Sequence, residues 1–588
     1  KMLKICPEKI AIPLCIIFNK SLHQCKYPSS WKIANVIALF KKGDSSLPSN
    51  YRPISLISCI GKVMERVVYK YVYNHLQRFK LIYEYQSGFL PKSSTVHQLL
   101  EIYNCILNSL EKKEISCFVF CDFSRAFDKV WHDGLLHKMK AYGINGNLLK
   151  WFRSYLSDRK QRVVIKQSSS KLCSISAGVP QGSVLGPLLF IIYINDIAER
   201  LISLCRLFAD DTSFSCADRD AFQIETVINH DLEKLNEWSK KWLMSFNPDK
   251  TEIMLFSNVE TPEMNFIFND KNIPITNIHK HLGVTFSNDA KWNAHVDNII
   301  LSTSKHINML RKLKYKLSRK NLEKLYLVFI RPLFEYASEV WDNIGVGYVN
   351  KLEQLQLQAA RIVTGLPIFT SSRVIYEELG WETLAERRER RKIQMFYNIQ
   401  NNNVPEYLSN LIPQKIQSMT VYPLRNGNDI IIPFCRLALT NDSFIPSTIR
   451  LWNNLEDSTR DVESINKFKT ELKNRYPQSN IFVPKQYEFG NRKLNIILTQ
   501  LRCFASSLNY DLYRVNIISD PSCRCGVNRE DSYHFFFKCI LYSDIRNKMF
   551  ESLRWLPNDC KINIELLTSG SCLLSLEQNQ TIFKNVFS

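Results

Sequence analysis

Three features of the sequence predict an α+β chain: short apolar runs that end on acidic residues, amphipathic helical periods between them, and a change to basic helix after Lys305. Its 588 residues exceed what one core holds and suit several domains, at roughly one per 150 residues. Lys and Arg total 77 against 56 Asp and Glu, a net charge of +21 that favours a polyanionic partner, nucleic acid or an anionic membrane surface. The 17 cysteines are scattered through apolar segments (Cys105, Cys117, Cys121, Cys205), as buried thiols of a reducing compartment are, with no disulfide framework. Ile10 to Phe18 and Leu188 to Ile194, the longest apolar runs, are core-sized and too short to span a bilayer, so no membrane role is expected. Pro7, Glu8 and Pro13 interrupt any signal-peptide reading of the start at Lys1, and the chain is expected to be an internal piece of something longer.

Trp31 to Phe40 reads as a strand that runs into Lys41, Lys42 and a Gly43-Asp44 turn. A Ser/Pro linker leads to a second extended segment, Asn50 to Leu56, which contains Arg52. Cations at the tips of two such segments suit phosphate, although a solvated basic hairpin reads the same way. Helical spacing follows in Gly61 to Phe79 (Val63, Val67, Val68, Tyr71, Val72, Leu76) and again in Val96 to Leu110. Ile115 to Cys121 has the continuous apolar character of a buried central strand and delivers Asp122 at its end. The chain is expected to turn into helix at about Asp128.

Gln161 to Lys166 and Lys171 to Ile175 resemble paired strands around a Ser-rich turn. In Ala177 to Pro187, Gly178, Gly182, Gly186, Pro180 and Pro187 imply tight backbone on which a ligand can lie, with Gln181 embedded in it. A helix is expected from Leu188 to about Asp196, a long amphipathic helix over Ile224 to Trp242, a strand over Glu252 to Phe256, and a further strand over His279 to Phe286. Beyond Lys305 come Arg311, Lys312, Lys314, Lys316, Arg319, Lys320 and Lys324, then a helix with Leu352, Leu355, Ala359, Ile362 and Val363 on one face. Arg387 to Lys392 adds a basic run, and such stretches suit phosphate-backbone contacts as well as a solvated face. Asn401 to Pro484, rich in Asn and Pro with weak periodicity, is expected to be loosely packed or made of small helices.

The organising stretch is Leu207-Phe208-Ala209-Asp210-Asp211-Thr212, two adjacent carboxylates between the apolar runs Leu204 to Phe208 and Thr212 to Phe214. This is the pattern of strand, tight turn and strand; on its own it also describes a solvated surface turn. A divalent cation relieves the repulsion of such a pair, and a third carboxylate, Asp122 from its own strand, would complete a site for two ions in phosphoryl transfer. One would activate an attacking 3′-hydroxyl, and the other would bind a triphosphate and steady the leaving pyrophosphate. All-oxygen donors favour Mg²⁺ or Mn²⁺ over zinc here. Lys41, Lys42 and Arg52 would neutralise the triphosphate, and Lys250 would protonate the leaving group as general acid.

The order of these segments resembles the reverse transcriptase family, specifically the non-LTR (LINE-type) retrotransposon enzymes of the jockey-like kind. The resemblance runs from about Trp31 to Phe286 and rests on Asn50-Tyr51-Arg52-Pro53-Ile54-Ser55-Leu56, the segment Phe120 to His132 around Asp122, Gly178 to Pro187, Phe208 to Thr212, Asn247 to Glu252 and His281 to Val284. It implies a right-hand polymerase with fingers, a palm with an antiparallel sheet, and a helical thumb. It implies Asp122, Asp210 and Asp211 as palm metal ligands, Phe127 as the steric gate against a ribose 2′-hydroxyl, and Gln181 in the nucleotide and template pocket. Arg52, Lys41 and Lys42 would lie at the triphosphate, Leu282 and Gly283 at the primer grip. Phe208 stands where many relatives have Tyr, and the aromatic is retained.

Cys523, Cys525, His534 and Cys539 form a C-x-C-x8-H-x4-C set, which suits a structural zinc site although its first spacing is shorter than the usual one and a chance cluster reads the same way. LINE-type proteins carry a similar knuckle, whose implied task is gripping the RNA template or target DNA. The expected organisation is an N-terminal extension (1–30), fingers and palm (31–286), a basic helical thumb (287–400), a poorly defined connector (401–500) and a mainly helical zinc-knuckle region (501–588). Nothing in this sequence corresponds to the family's upstream endonuclease, so a fragment or a truncated copy is expected, and an RNase H carboxylate set is not expected after the thumb. The expected function is an RNA-directed DNA polymerase acting in target-primed reverse transcription, with RNA template, DNA primer or target and dNTPs as partners. The expected location is intracellular, in a cytoplasmic ribonucleoprotein and the nucleus. A catalytically silent or domesticated nucleic-acid-binding relative is the alternative, with a group II intron-type enzyme as a nearer rival that lacks a maturase-like segment here.

Overall fold

The computed structural model describes residues 6–419, 422, 426–475, 491–557, 559–571 and 573–587; residues 1–5 of the expected N-terminal extension and 476–490 of the expected connector lie outside them. The chain is α+β and divides into two compact units. The first comprises Lys1–Lys291 with Ile399–Pro413 and Phe434–Asn441; the second comprises Trp292–Asn398, Gln414–Pro433 and Asp442–Ser588.

In chain order the strands of the first unit are β1 (Ile33–Phe40), β2 (Tyr51–Leu56), β3 (Ile115–Asp122), β4 (Arg159–Ile165), β5 (Ser168–Ser169), β6 (Cys173–Ile175), β7 (Leu204–Phe208), β8 (Asp211–Asp218), β9 (Glu252–Phe256), β10 (Ile267–Phe268), β11 (Lys271–Asn272), β12 (Ile278–His281) and β13 (Val284–Ser287). β3 lies inside a four-stranded sheet of order β7-β8-β3-β9, antiparallel at each pairing. It is buried from Ile115 through Cys121, which explains its continuous apolar sequence, and only Asp122 emerges. The helices Thr95–Glu111 and Ala221–Lys241 pack on β3 and β8. A second sheet, β2-β1-β4-β5 with β6 also on β4, holds the segments that carry Lys41 and Arg52 at one end.

Helix Leu185–Ile194 is apolar on all sides because it runs through the core; it begins at Leu185, ahead of the expected Leu188. Helix Cys59–Arg78 buries Gly61, Met64, Glu65, Val68, Val72 and Leu76, so Val67 and Tyr71 face outward despite their apolar character. The expected helix at Asp128 is one 3₁₀ turn, Ala126–Asp128, and α-helix starts at His132. His279 to Phe286 is two strands instead of one: β12 and β13 form a hairpin whose turn residues Leu282 and Gly283 have φ of +45° and +86°. Asn- and Pro-rich residues return to the first unit in an ordered way. Tyr407 stacks on Tyr85 and its hydroxyl lies 2.7 Å from Ser87 Oγ, while Glu111 accepts from the backbone N–H of Arg436 (3.0 Å) and Leu437 (2.8 Å).

The second unit is helical among the described residues and includes Asn293–Lys312, Arg319–Leu325, Val346–Thr364, Ser372–Leu379 and Leu384–Gln400. Lys305, Arg311, Lys312, Lys316, Lys320 and Lys324 are exposed, but Arg319 is buried against Glu378. The basic run on Leu384–Gln400 is likewise engaged internally. Arg387 pairs with Glu335 (2.5 Å) and Glu382 (2.8 Å), Arg388 and Lys392 with Asp342 (2.6 Å each), Arg391 with Glu339 (3.1 Å), and Arg390 with Glu382. The expected phosphate-contact face is thus a structural ion-pair network, because the acids of Glu335 to Asp342 and Glu382 pack against it. Leu498, Leu501, Phe536, Leu553, Leu567 and Phe583 belong to a separate C-terminal apolar cluster. Among the described residues no helix is long and apolar enough to cross a membrane.

Candidate active site

The register of β3 against β8 sets Asp122 directly opposite Asp211, and Asp210 occupies the turn between β7 and β8 next to Ala209, whose φ is +56°. Sequence-distant carboxylates therefore meet at one end of the sheet. Loss of solvent around the Asp211 carboxyl, with the charges of Asp210 and Asp122, pushes its pKa up to about 6 although Arg52 opposes the shift. Asp210 is raised for the same leading reason, with Asp122 adding to the shift and Arg52 and Lys41 pulling it back. Arg52 and Lys41 thus act on the carboxylates that sequence reasoning grouped with them. Lys42, on the exposed loop beyond, makes no ion pair among the described residues. Lys250, on the 3₁₀ turn Pro248–Lys250, places Nζ 3.0 Å from Asp122 Oδ2, and the Asn247 N–H donates to the Asp122 carbonyl at 2.8 Å.

The Gly-Pro loop is pinned from two sides. Ser55 N donates to Gln181 O at 2.7 Å, and Gly182, at φ +120°, comes so close to β2 that a Cβ would sit 2.6 Å from Ser55 O. Val179 N donates to Phe127 O at 2.8 Å, and Gln181 Nε2 donates to Asp128 Oδ1 at 3.3 Å. The Phe127 ring stacks on Phe190, with centroids 4.5 Å apart.

Several supporting residues escaped sequence reasoning. Buried Glu65 accepts from Val184 N (2.7 Å) and Leu185 N (3.2 Å), capping the helix that follows the loop. Its signal was present: Glu65 falls at helical spacing with Val68, Val72 and Leu76 on the inward face. Buried Arg206 on β7 forms a two-point ion pair with Glu101 and donates to Ser215 Oγ at 2.8 Å, tying the hairpin to helix Thr95–Glu111. The outer edge of β7 is covered by Tyr85 to Ser87 through Leu207 N to Tyr85 O (3.1 Å) and Ser87 N to Leu207 O (2.8 Å). Gln86 Oε1 accepts from Ala209 N at 3.3 Å, and a Cβ on Gly88 would lie 2.3 Å from that same nitrogen. No residue but glycine fits there.

In the second unit, Cys523, Cys525, His534 and Cys539 have their ligand atoms within 4.8 Å of one another. Cys523 Sγ is 3.7 Å from Cys539 Sγ, and Cys525 Sγ is 3.3 Å from His534 Nε2. The Val527 N–H holds the Cys525 thiol below its ordinary pKa, which favours the thiolate a metal binds.

Residues 40–321 match the family described as reverse transcriptase (RNA-dependent DNA polymerase). The chain carries a reverse transcriptase domain. Among similar proteins is the RNA-directed DNA polymerase from mobile element jockey of Drosophila funebris, 30% identical over 64% of this chain and 42% of that protein. The probable RNA-directed DNA polymerase from transposon BS of Drosophila melanogaster is 28% identical over 66% of this chain and 44% of its own length. A Pol polyprotein from type-1 retrotransposable element R1 of Bradysia coprophila is 24% identical over 91% of this chain and 51% of its own. The chain is thus similar to polymerases of the LINE-type, jockey-like kind, and it spans about half or less of the length of these relatives. A telomerase structure from Candida tropicalis covers 69% of the chain at 11% identity and a TM-score of 0.36, too distant to carry argument.

Proposed function

We propose that the chain is an RNA-directed DNA polymerase of a non-LTR retrotransposon, adding dNTPs to a DNA 3′ end on an RNA template in target-primed synthesis. The observation that carries this reading is the pairing of β3 with β8, which sets Asp122 across from Asp211 with Asp210 beside them. The donor set fits two Mg²⁺ or Mn²⁺ ions: it is all hard oxygen, and Asp210 and Asp211 are held above their ordinary range by lost solvent and by neighbouring carboxylates, Asp122 in both cases, a condition that cations relieve. Bound there, the ions would supply the positive charge that activates a 3′-hydroxyl and holds a triphosphate.

The chain's own residues divide the remaining work. Arg52 and Lys41, at the end of the β1–β2 pair, neutralise the triphosphate, with Lys42 beside them on the exposed loop. Lys250 delivers a proton to the leaving pyrophosphate as general acid. Phe127 forms the wall that a ribose 2′-hydroxyl meets, and Gln181, fixed by the Ser55 and Asp128 contacts, lines the base and template side. In right-hand terms β1, β2 and β4 are fingers, the β7-β8-β3-β9 sheet is palm, the β12–β13 turn is the primer grip, and the helices from Asn293 onward are thumb. The Cys523, Cys525, His534 and Cys539 cluster fits zinc by its soft donors and mutual distances and would serve as a knuckle for RNA or target DNA. The site of action is a cytoplasmic ribonucleoprotein and the nucleus.

Primer extension on poly(rA)/oligo(dT) with Mg²⁺ tests the reading. Wild type should incorporate dTTP and Asp210→Asn should not. Equal incorporation by both, or none by wild type, overturns it in favour of a nucleic-acid-binding relative without catalysis.

A further inference from the structure

The segment that covers β7 continues past Gly88 into Phe89, and no role in the polymerase reading falls to Phe89. Its backbone is left-handed, at φ +58°, a conformation that an aromatic residue rarely adopts, and the residue is 51% exposed. That ring meets Phe127 perpendicularly, with centroids 5.9 Å apart at 89°. Phe127 is therefore in contact with two aromatic rings. Phe190, fully buried in the core helix, lies flat against it at 4.5 Å, and Phe89 supplies the second contact.

We propose that Phe89 is a positioning residue that sets how strictly this site rejects ribonucleotides, by holding the Phe127 ring against Phe190. The inference rests on the polymerase reading and on Phe127 as the wall at the 2′ position. A wall discriminates only if it does not yield. The Phe127 backbone is fixed by the Val179 N–H, and Phe190 blocks movement in one direction. Rotation away from Phe190 is opposed by the edge-to-face contact with Phe89. The backbone leading into Phe89 is anchored, because Gly88 lies too close to Ala209 N to admit a Cβ and Ser87 N is bonded to Leu207 O. The wall is thereby referenced to the same hairpin that carries Asp210 and Asp211, so sugar rejection and metal-ligand placement share one anchor.

The test compares kcat/KM for dTTP and for ribothymidine triphosphate on poly(rA)/oligo(dT), in wild type, Phe89→Ala, Phe89→Tyr and Phe127→Ala. Phe89→Ala should lower the dTTP to ribonucleotide ratio about tenfold, chiefly by raising ribonucleotide use, with Phe127→Ala lowering it further and Phe89→Tyr keeping the wild-type ratio. An unchanged ratio in Phe89→Ala beside a changed one in Phe127→Ala overturns the inference and leaves the polymerase reading standing. So does a Phe89→Ala protein that loses both substrates alike, or a Phe89→Tyr ratio that falls as far as that of Ala. An unchanged ratio in Phe127→Ala overturns it by removing the wall. Absence of any dTTP incorporation by wild type overturns the polymerase reading itself, which is a separate outcome.

Discussion

Glu65 Oε2 accepts hydrogen bonds from Val184 N and Leu185 N, so a carboxylate from one helix caps the start of another helix 119 and 120 residues later in the chain. The loop that carries Gln181 ends at that cap. Glu65→Ala should lower stability by about 1–3 kcal/mol, because two buried N–H groups lose their acceptor. It should also raise KM for dNTP as the loop loosens. Glu65→Gln, which keeps an acceptor oxygen, should recover most of both losses; urea unfolding and steady-state kinetics read the two effects separately.

Asp211 makes a pH prediction. Its folded pKa of about 6 exceeds the ordinary 3.8. The stability this carboxyl contributes is therefore fully present below the unfolded value and is lost as pH rises through the folded one. In chelator, Asp211→Asn should melt above wild type at about pH 7.5 and the two should converge near pH 4, a gap of about 1 kcal/mol or less after solvent screening. Added Mn²⁺ should reverse the order at the higher pH by stabilising wild type alone. A gap independent of pH would show that Asp211 is not the group that titrates.

Lys250 and Asp122 form an exposed pair at 3.0 Å, and pairs of that kind add little to stability. Lys250→Ala should leave the unfolding free energy within about 0.5 kcal/mol of wild type. It should lower kcat by about 10²–10⁴, the loss expected when a proton donor is removed. An unaltered kcat would reduce the contact to a surface ion pair.

The Cys/His cluster predicts one zinc per chain by elemental analysis. Cys525→Ser should lose most of it. Chelation should expose the nearby apolar cluster of Leu501, Phe536 and Leu567 to proteolysis, since closed sites of this kind contribute folding energy directly. Intact digestion patterns after metal removal would rule out a structural ion.

What the sequence disclosed about the fold was whatever short-range pattern controls. The apolar run Ile115 to Cys121 is β3, Glu252 to Phe256 is β9, and the acids at Asp122, Asp210 and Asp211 stand at strand ends, where the chain emerges from the core. Partnerships between distant charges were not legible. Glu101 and Arg206 look like solvated residues until their partners are known, and Arg387 to Lys392 look like a binding face until Glu335, Glu339, Asp342 and Glu382 are placed beside them. The hairpin at Leu282-Gly283 was missed because a two-residue turn with a single glycine interrupts so short a segment without any cluster of turn residues. Phe89 was missed because the space around an aromatic ring is a tertiary fact.

The ion-paired helix Leu384–Gln400 also bears on ionic strength. Cations already matched to carboxylates displace no condensed counterions when a nucleic acid binds, so Arg387, Arg388, Arg391 and Lys392 add nothing to the salt slope. The slope instead counts exposed side chains such as Lys305, Lys312, Lys316 and Lys324, each worth about 0.9 on duplex DNA where it meets a phosphate. Template affinity should therefore tolerate added salt better than a formal charge of +21 suggests.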